Sequence, residues 1–174
     1  MKPVRHGLRL RMLGRYLILV TGGNFLWEIF QLPGFADWRF GSWGWLIFIV
    51  LIGTAGDVLI AAISLVLAMV CFGGEQWPQD KGSYWRVAAA ACVFGVIYTT
   101  YSEWRHAVVL HAWTYSGFMP VLPVLGVGLF PILQWVLIPA AVFYYLRSSF
   151  ATLKRANPDD SKSLTRTTAE HERG

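Results

Sequence analysis

Glu28, Asp57 and Glu103 are the side chains of this sequence most suited to chemistry, because each places a carboxyl group inside an otherwise apolar stretch. A carboxyl in such a setting holds a cation, moves a proton or hydrogen-bonds to a neighbouring helix. Their neighbours are patterned. Asn24, Glu28 and Gln31 are spaced i, i+4, i+7, which puts them on one helix face. Gly53, Asp57 and Ser64 share a face in the same way, as do Gly95, Thr99, Glu103 and His106. Gln134 is the one strong polar group of a fourth apolar stretch. Asn24, Gln31 and Gln134 are therefore candidate binding residues beside the three candidate acids. Asn24, Ser64, Thr99 and Gln134 can also serve simply as hydrogen-bonding links between helices.

Glu103 and His106 form a Glu-x-x-His pair, which projects two ligands from one helix face in di-iron carboxylate bundles. Those sites use two such motifs and two further glutamates. Here there is one motif, with Glu28, Asp57 and His111 as the only additions at hand. The donor set is short, so no metal is favoured, and Glu103, His106 and His111 remain weak candidates. Nothing in the sequence identifies a cofactor.

These residues need elements to hold them. The chain has 174 residues, of which 55% are hydrophobic and only 14% charged, with nine tryptophans. A soluble domain carries about a quarter charged residues, so this is a membrane composition. Four apolar segments stand out, at about 13–32, 45–72, 87–104 and 121–146, each long enough to cross a hydrocarbon core of about 30 Å as a helix. No period-two alternation persists, which disfavours strands. The first segment follows a basic start but lacks a small-residue cleavage site, so it reads as a retained helix. The expected fold is all-α, a polytopic membrane four-helix bundle over residues 1–150. Residues 151–174 are polar, lack aromatics and read as a disordered cytoplasmic tail.

The formal charge of +5 is gathered at the two ends, with no basic-aromatic groove pattern, so nucleic acid is not an expected partner. Lysines and arginines cluster before the first segment and after the fourth, which places both termini in the cytoplasm of a multi-pass bacterial inner-membrane protein. Trp38, Trp43, Trp45, Trp113 and Tyr115 then fall in the outward loops, as an interfacial aromatic belt. Cys71 and Cys92 belong to no CxxC and read as small buried apolar residues.

Four helices with one polar stripe each hide those stripes only by facing one another. The expected interior is an outward-opening polar funnel, with Glu28 and Glu103 near the mouth and Asp57 and Gln134 deeper. An acid at the centre of a membrane helix costs about 2.5–3.5 kcal/mol, and apart from Arg15 at the very start of the first span no lysine or arginine lies within the spans to pair with Asp57. Pro123, Pro131 and Pro139 recur every eight residues and are expected to kink the fourth helix. Gly53 and Gly56 read as close-packing positions between helices.

The stretches "NFLWEIFQLP", "GTAGD", "YTTYSEW" and "WTYSGFMPVLPVLGVGLFPILQW" resemble a family of small, mostly uncharacterised bacterial four-helix inner-membrane proteins. The likeness covers roughly residues 14 to 146. It implies the four-helix fold and a role for Glu28, Asp57, Glu103, Trp104, Tyr115 and Gln134, which adds Trp104 and Tyr115 to the candidate binding residues. Histidines at His106 and His111 are not part of its pattern.

Three functions fit. The first is an intramembrane acidic site for a small cation or the head group of a lipid-soluble substrate. The second is an enzyme acting on an isoprenoid or lipid, with Asp57 or Glu28 as general acid and tryptophans and tyrosines stabilising a carbocation. The third is a non-catalytic accessory subunit or assembly factor of a larger membrane complex. Membrane lipid is the expected surrounding in each. The chain lacks the internal repeat common in transporters, which weighs against an independent transport role.

Overall fold

The computed structural model describes residues 2–75 and 77–156. Its described residues form five α-helices: α1 (Lys2–Gln31), α2 (Asp37–Phe40), α3 (Trp43–Phe72), α4 (Lys81–Glu103) and α5 (Leu129–Ala156). A 3-10 turn at Leu32–Gly34 follows α1, and a π-helical turn at Trp104–Val109 continues α4. The chain is therefore all-α apart from a small antiparallel hairpin of β1 (Val121–Leu122) and β2 (Val127–Gly128).

The long helices start where the sequence offers a cap. The Ser42 hydroxyl accepts from the Trp45 N–H at the head of α3, and the Asp80 carboxyl accepts from Ser83 N–H at the head of α4. That second bond holds the Asp80 carboxyl below its ordinary acidity range, because it is made to the charged form. The four long helices pack as a ring. Both α1 and α4 lie against α3 and α5.

Several expected boundaries are corrected. The fourth span does not begin at Val121. Pro120 and Pro123 cannot donate backbone hydrogen bonds, and Gly126 adopts a left-handed φ of 68°, so residues 121–128 fold as the hairpin and α5 starts at Leu129. Strands, disfavoured by the sequence pattern, thus occur here in their shortest form. Of the three prolines only Pro139 lies inside the helix. Pro131 sits in its first turn, where the missing N–H costs nothing, and Pro123 in the hairpin loop. At the other end α5 runs to Ala156, past the expected start of the tail at 151, and the rest of that expectation lies outside the described residues.

Among the described residues two helices are long and apolar enough to cross a membrane, α3 and the Leu129–Ser149 part of α5. Four such spans were expected, and these are two of them. Helix α1 is diluted by Arg9, Arg11, Arg15, Asn24 and Glu28, and α4 by Lys81, Arg86, Thr99, Thr100 and Glu103.

Beside an apolar core, a set of polar side chains is buried and many large apolar ones are exposed. Asn24, Gln31, Thr54, Asp57, Ser64, Thr99, Glu103 and Gln134 are buried, while Ile18, Leu26, Leu59, Val70 and Ile97 are exposed. Cys71 is exposed and Cys92 half-buried, not the buried pair expected. The apolar core fills the end of the ring away from the carboxyls. There Tyr84 Oη donates to the Phe143 carbonyl at 2.6 Å, and Tyr16 packs on the Phe143 ring with centroids 4.9 Å apart. Gly95 lets α4 press against the Trp135 indole, which a Cβ at that position would enter.

The chain ends of the ring are tied together. The Arg9 guanidinium donates to the carbonyls of Gly74, Glu75 and Trp77, and that of Arg147 to the carbonyls of Pro78 and Gln79. The start of α1, the end of α5 and the α3–α4 connection thus share one end of the molecule.

Candidate functional site

The opposite end holds a cavity of about 510 Å³. Glu28 and Gln31 reach it from the end of α1, Asp57 from the middle of α3, Glu103 from the end of α4 and Gln134 from the second turn of α5. Helices α1 and α3, of 30 residues each, are the longest posts of the frame. Asp57 lies about 22 Å from the Phe72 end of α3, and Gln134 about 20 Å from Arg147, so the two meet at one level. The depth of Gln134 comes from the late start of α5, not from a helix beginning at Val121.

Hydrogen bonds link the polar groups. Gln31 Nε2 donates to Glu28 Oε1 at 2.9 Å, and Gln134 Nε2 donates to Asp57 Oδ2 at 2.5 Å. The Glu28 and Asp57 carboxyls reach the same cavity from α1 and α3. The Tyr115 hydroxyl donates to Glu103 Oε2. Burial, and then the Glu103 carboxyl, push the Tyr115 hydroxyl above the ordinary phenol range, so it stays a donor. Asp57 is 9% exposed, Glu103 8% and Gln134 2%.

Gly53 has a specific task here. A Cβ on it would stand 2.9 Å from Glu28 Oε2, so the glycine makes room for the carboxyl. A Cβ on Gly56 would meet nothing within 4 Å, because that glycine faces the cavity. The expectation of close approach between helices thus fits Gly53, which meets a side chain of α1, and is corrected at Gly56.

A roof closes this end. The Ala36 N–H donates to the Thr114 carbonyl, the Ser116 N–H to the Gly34 carbonyl and the Ser116 hydroxyl to the Pro33 carbonyl. The Phe35 and Tyr115 rings meet with centroids 5.8 Å apart. The stretch after α1 is thereby stitched to the stretch after α4, and the backbone bonds of this irregular roof are made within the protein.

Three polar atoms of the cavity wall have no hydrogen-bond partner: Gln31 Oε1, Thr99 Oγ1 and Trp113 Nε1. No lysine, arginine or histidine lines the cavity. Its aromatic wall is Phe35, Trp45, Phe48, Trp113 and Trp135. Asp37 adds a fourth carboxyl at the rim, where its Oδ1 accepts from Trp45 Nε1 at 3.0 Å. Asp37 opens the short helix α2, and nothing in its sequence context set it apart. Thr99 was legible as a member of the α4 stripe, one turn before Glu103, whereas Ser102, adjacent to Glu103 in the chain, was not part of it.

Not every candidate reaches the cavity. Asn24 is buried beneath it with Nδ2 unpartnered, outside the lining. Trp104 is turned outward, 43% exposed, with its ring against Tyr101. Tyr115 acts on the site through Glu103. His106 stands on the π-helical turn, which breaks the helical register that would align it with Glu103. Its Nδ1 bonds to the Ser102 carbonyl at 2.8 Å, and its ring stacks on Trp113 at 5.1 Å. His111 is exposed in the following turn. Among the described residues no three His, Cys, Asp or Glu side chains are grouped to hold a metal ion.

Compared with protein-family models, with curated proteins and with solved structures, the chain gives no match.

Proposed function

We propose that this chain is a multi-pass bacterial inner-membrane protein whose four long helices form a membrane bundle with both termini in the cytoplasm. Its acidic cavity binds a small cation or the cationic head of a lipid-soluble substrate. The membrane reading is supported by the exposed apolar side chains outside the ring and the polar ones within it. The orientation rests on the lysines and arginines of the two termini, by the positive-inside rule. The family likeness rests on the four quoted motifs and adds a role for the same acids.

One observation carries the function. Carboxyls from three different helices converge on one cavity that no basic side chain lines. Each costs up to about 3 kcal/mol in a membrane, more than helix-linking hydrogen bonds return. A positive ligand offsets that cost, and the aromatic wall adds cation–π attraction.

A thermal-stability titration of the purified protein in dodecyl maltoside tests this, with sodium chloride and tetramethylammonium chloride as probes at equal ionic strength. One of them is expected to stabilise the wild type by about 2.7 kcal/mol at a hundred times its Kd, and Asp57→Asn should abolish the gain. Equal behaviour of wild type and variant with both salts would refute a cation site.

The placement of Glu28 and Asp57 in one cavity with an aromatic wall supports a second reading, a lipid- or isoprenoid-modifying enzyme in which one of these carboxyls serves as general acid.

A further inference from the structure

A second groove begins where the acidic cavity ends. It has a volume of about 330 Å³ and lies between α3 and α4, with Ile63 and Leu67 on one wall and Phe94 and Ile97 on the other. Ile60 lines both spaces, so they adjoin. On α3 the seam follows Ile52, Gly56, Ile60 and Ser64, spaced i, i+4, i+8, i+12 on one face. Gly56 lies exposed at the junction, with open space where a side chain would be.

We propose that the ligand is a single-chain amphiphile with a cationic, hydrogen-bond-donating head. This rests on the reading of the acidic cavity as a binding site and names the class of molecule it takes. The head lies among Glu28, Asp57 and Glu103. Its N–H groups meet the unpartnered Gln31 Oε1, and a hydroxyl or carbonyl on it meets Thr99 Oγ1. The chain leaves past Gly56 and runs beside Ile60 to Leu67, a path of about 16 Å. The two spaces differ in chemistry as the two ends of such a molecule do. Acids and amides line the first, whereas the second is apolar except for Ser64 and the tyrosine hydroxyls of Tyr98 and Tyr101. With both termini inside, the head lies towards the outer face and the chain points to the mid-plane, the posture of an outer-leaflet lipid.

Two photoprobes test the proposal on the full-length protein in dodecyl maltoside. One is hexadecylamine with a diazirine at mid-chain, and the other is butylamine with the same group. Hexadecylamine is expected to label peptides covering 60–67 and 94–101, and butylamine those covering Glu28 and Glu103. Asp57→Asn should weaken both patterns. Gly56→Leu plugs the junction, so it should remove the hexadecylamine pattern. Ile97→Trp fills the groove from an exposed position on the opposite wall, away from the acidic cavity, so it should remove the hexadecylamine pattern and leave butylamine labelling intact. Hexadecylamine labelling spread evenly over the outer faces of α1 and α5, or unchanged in both groove variants, would overturn the chain path while leaving the cavity reading standing. Failure of both amines to label the Glu28 and Glu103 peptides in the wild type would overturn the cavity reading and this proposal with it.

Discussion

Gln134 and Asp57 are hydrogen-bonded across the ring, amide Nε2 to carboxyl Oδ2, although 77 residues separate them in the chain. The bond ties α5 to α3 at the floor of the acidic cavity. It leaves Asp57 a second oxygen for a ligand.

Asp57→Asn separates structure from function at this point. Asparagine keeps a carbonyl oxygen for the Gln134 amide, and such bonds between membrane helices are worth about 0.6 kcal/mol on average. The variant is expected to fold and insert with stability within about 1 kcal/mol of wild type, yet to fail in complementing a deletion. Full complementation would remove Asp57 from the chemistry and move the weight to Glu28 and Glu103.

Gly53 and Gly56 lie three residues apart and face different surroundings. Gly53→Ala drives a methyl group against the Glu28 carboxyl, so ligand binding should weaken. Gly56→Ala enters open space and gains helix propensity, for a stabilisation of up to about 1 kcal/mol. Side-by-side thermal melts and cation titrations check the contrast. Identical behaviour of the two variants would contradict the arrangement of Glu28 over Gly53.

Gly95→Ala probes the apolar end. The added methyl enters the Trp135 ring, and overpacking of that kind costs about 1–3 kcal/mol. Denaturation in mixed micelles should show the loss. A neutral result would mean that α4 and α5 do not press together there.

Arg9 and Arg147 both reach the α3–α4 connection, so that connection and the two chain ends should lie on one side of the membrane. Reporter fusions at residue 79 and at residue 174 are expected to give the same cytoplasmic readout. A periplasmic signal at either would break the proposed topology.

His106→Ala should leave the metal content of the purified protein unchanged, because the ring bonds to the Ser102 carbonyl and stacks on Trp113. Elemental analysis showing about one transition metal per chain, lost in this variant, would restore the Glu103–His106 pair as ligands.

The sequence by itself determined the helical character, the polar stripes and which side chains would share a face. Those depend on local periodicity, and Asn24, Glu28 and Gln31 show it within two turns. The gathering of most lysines and arginines towards the two ends of the chain was equally legible. Only the tertiary structure decided what the stripes meet. The start of α5 at Leu129 follows from the hairpin, which needs Gly126 in a left-handed conformation and a roof stitched between Gly34 and Ser116. That late start is what brings Gln134 level with Asp57. The roles of Gly53 and Asp37, the outward turn of Trp104 and the release of His106 by the π-helical turn likewise depend on contacts between distant segments. A 3.6-residue repeat sets the direction of a side chain around its own helix, whereas its depth and its partner are set by where the neighbouring helices begin and end.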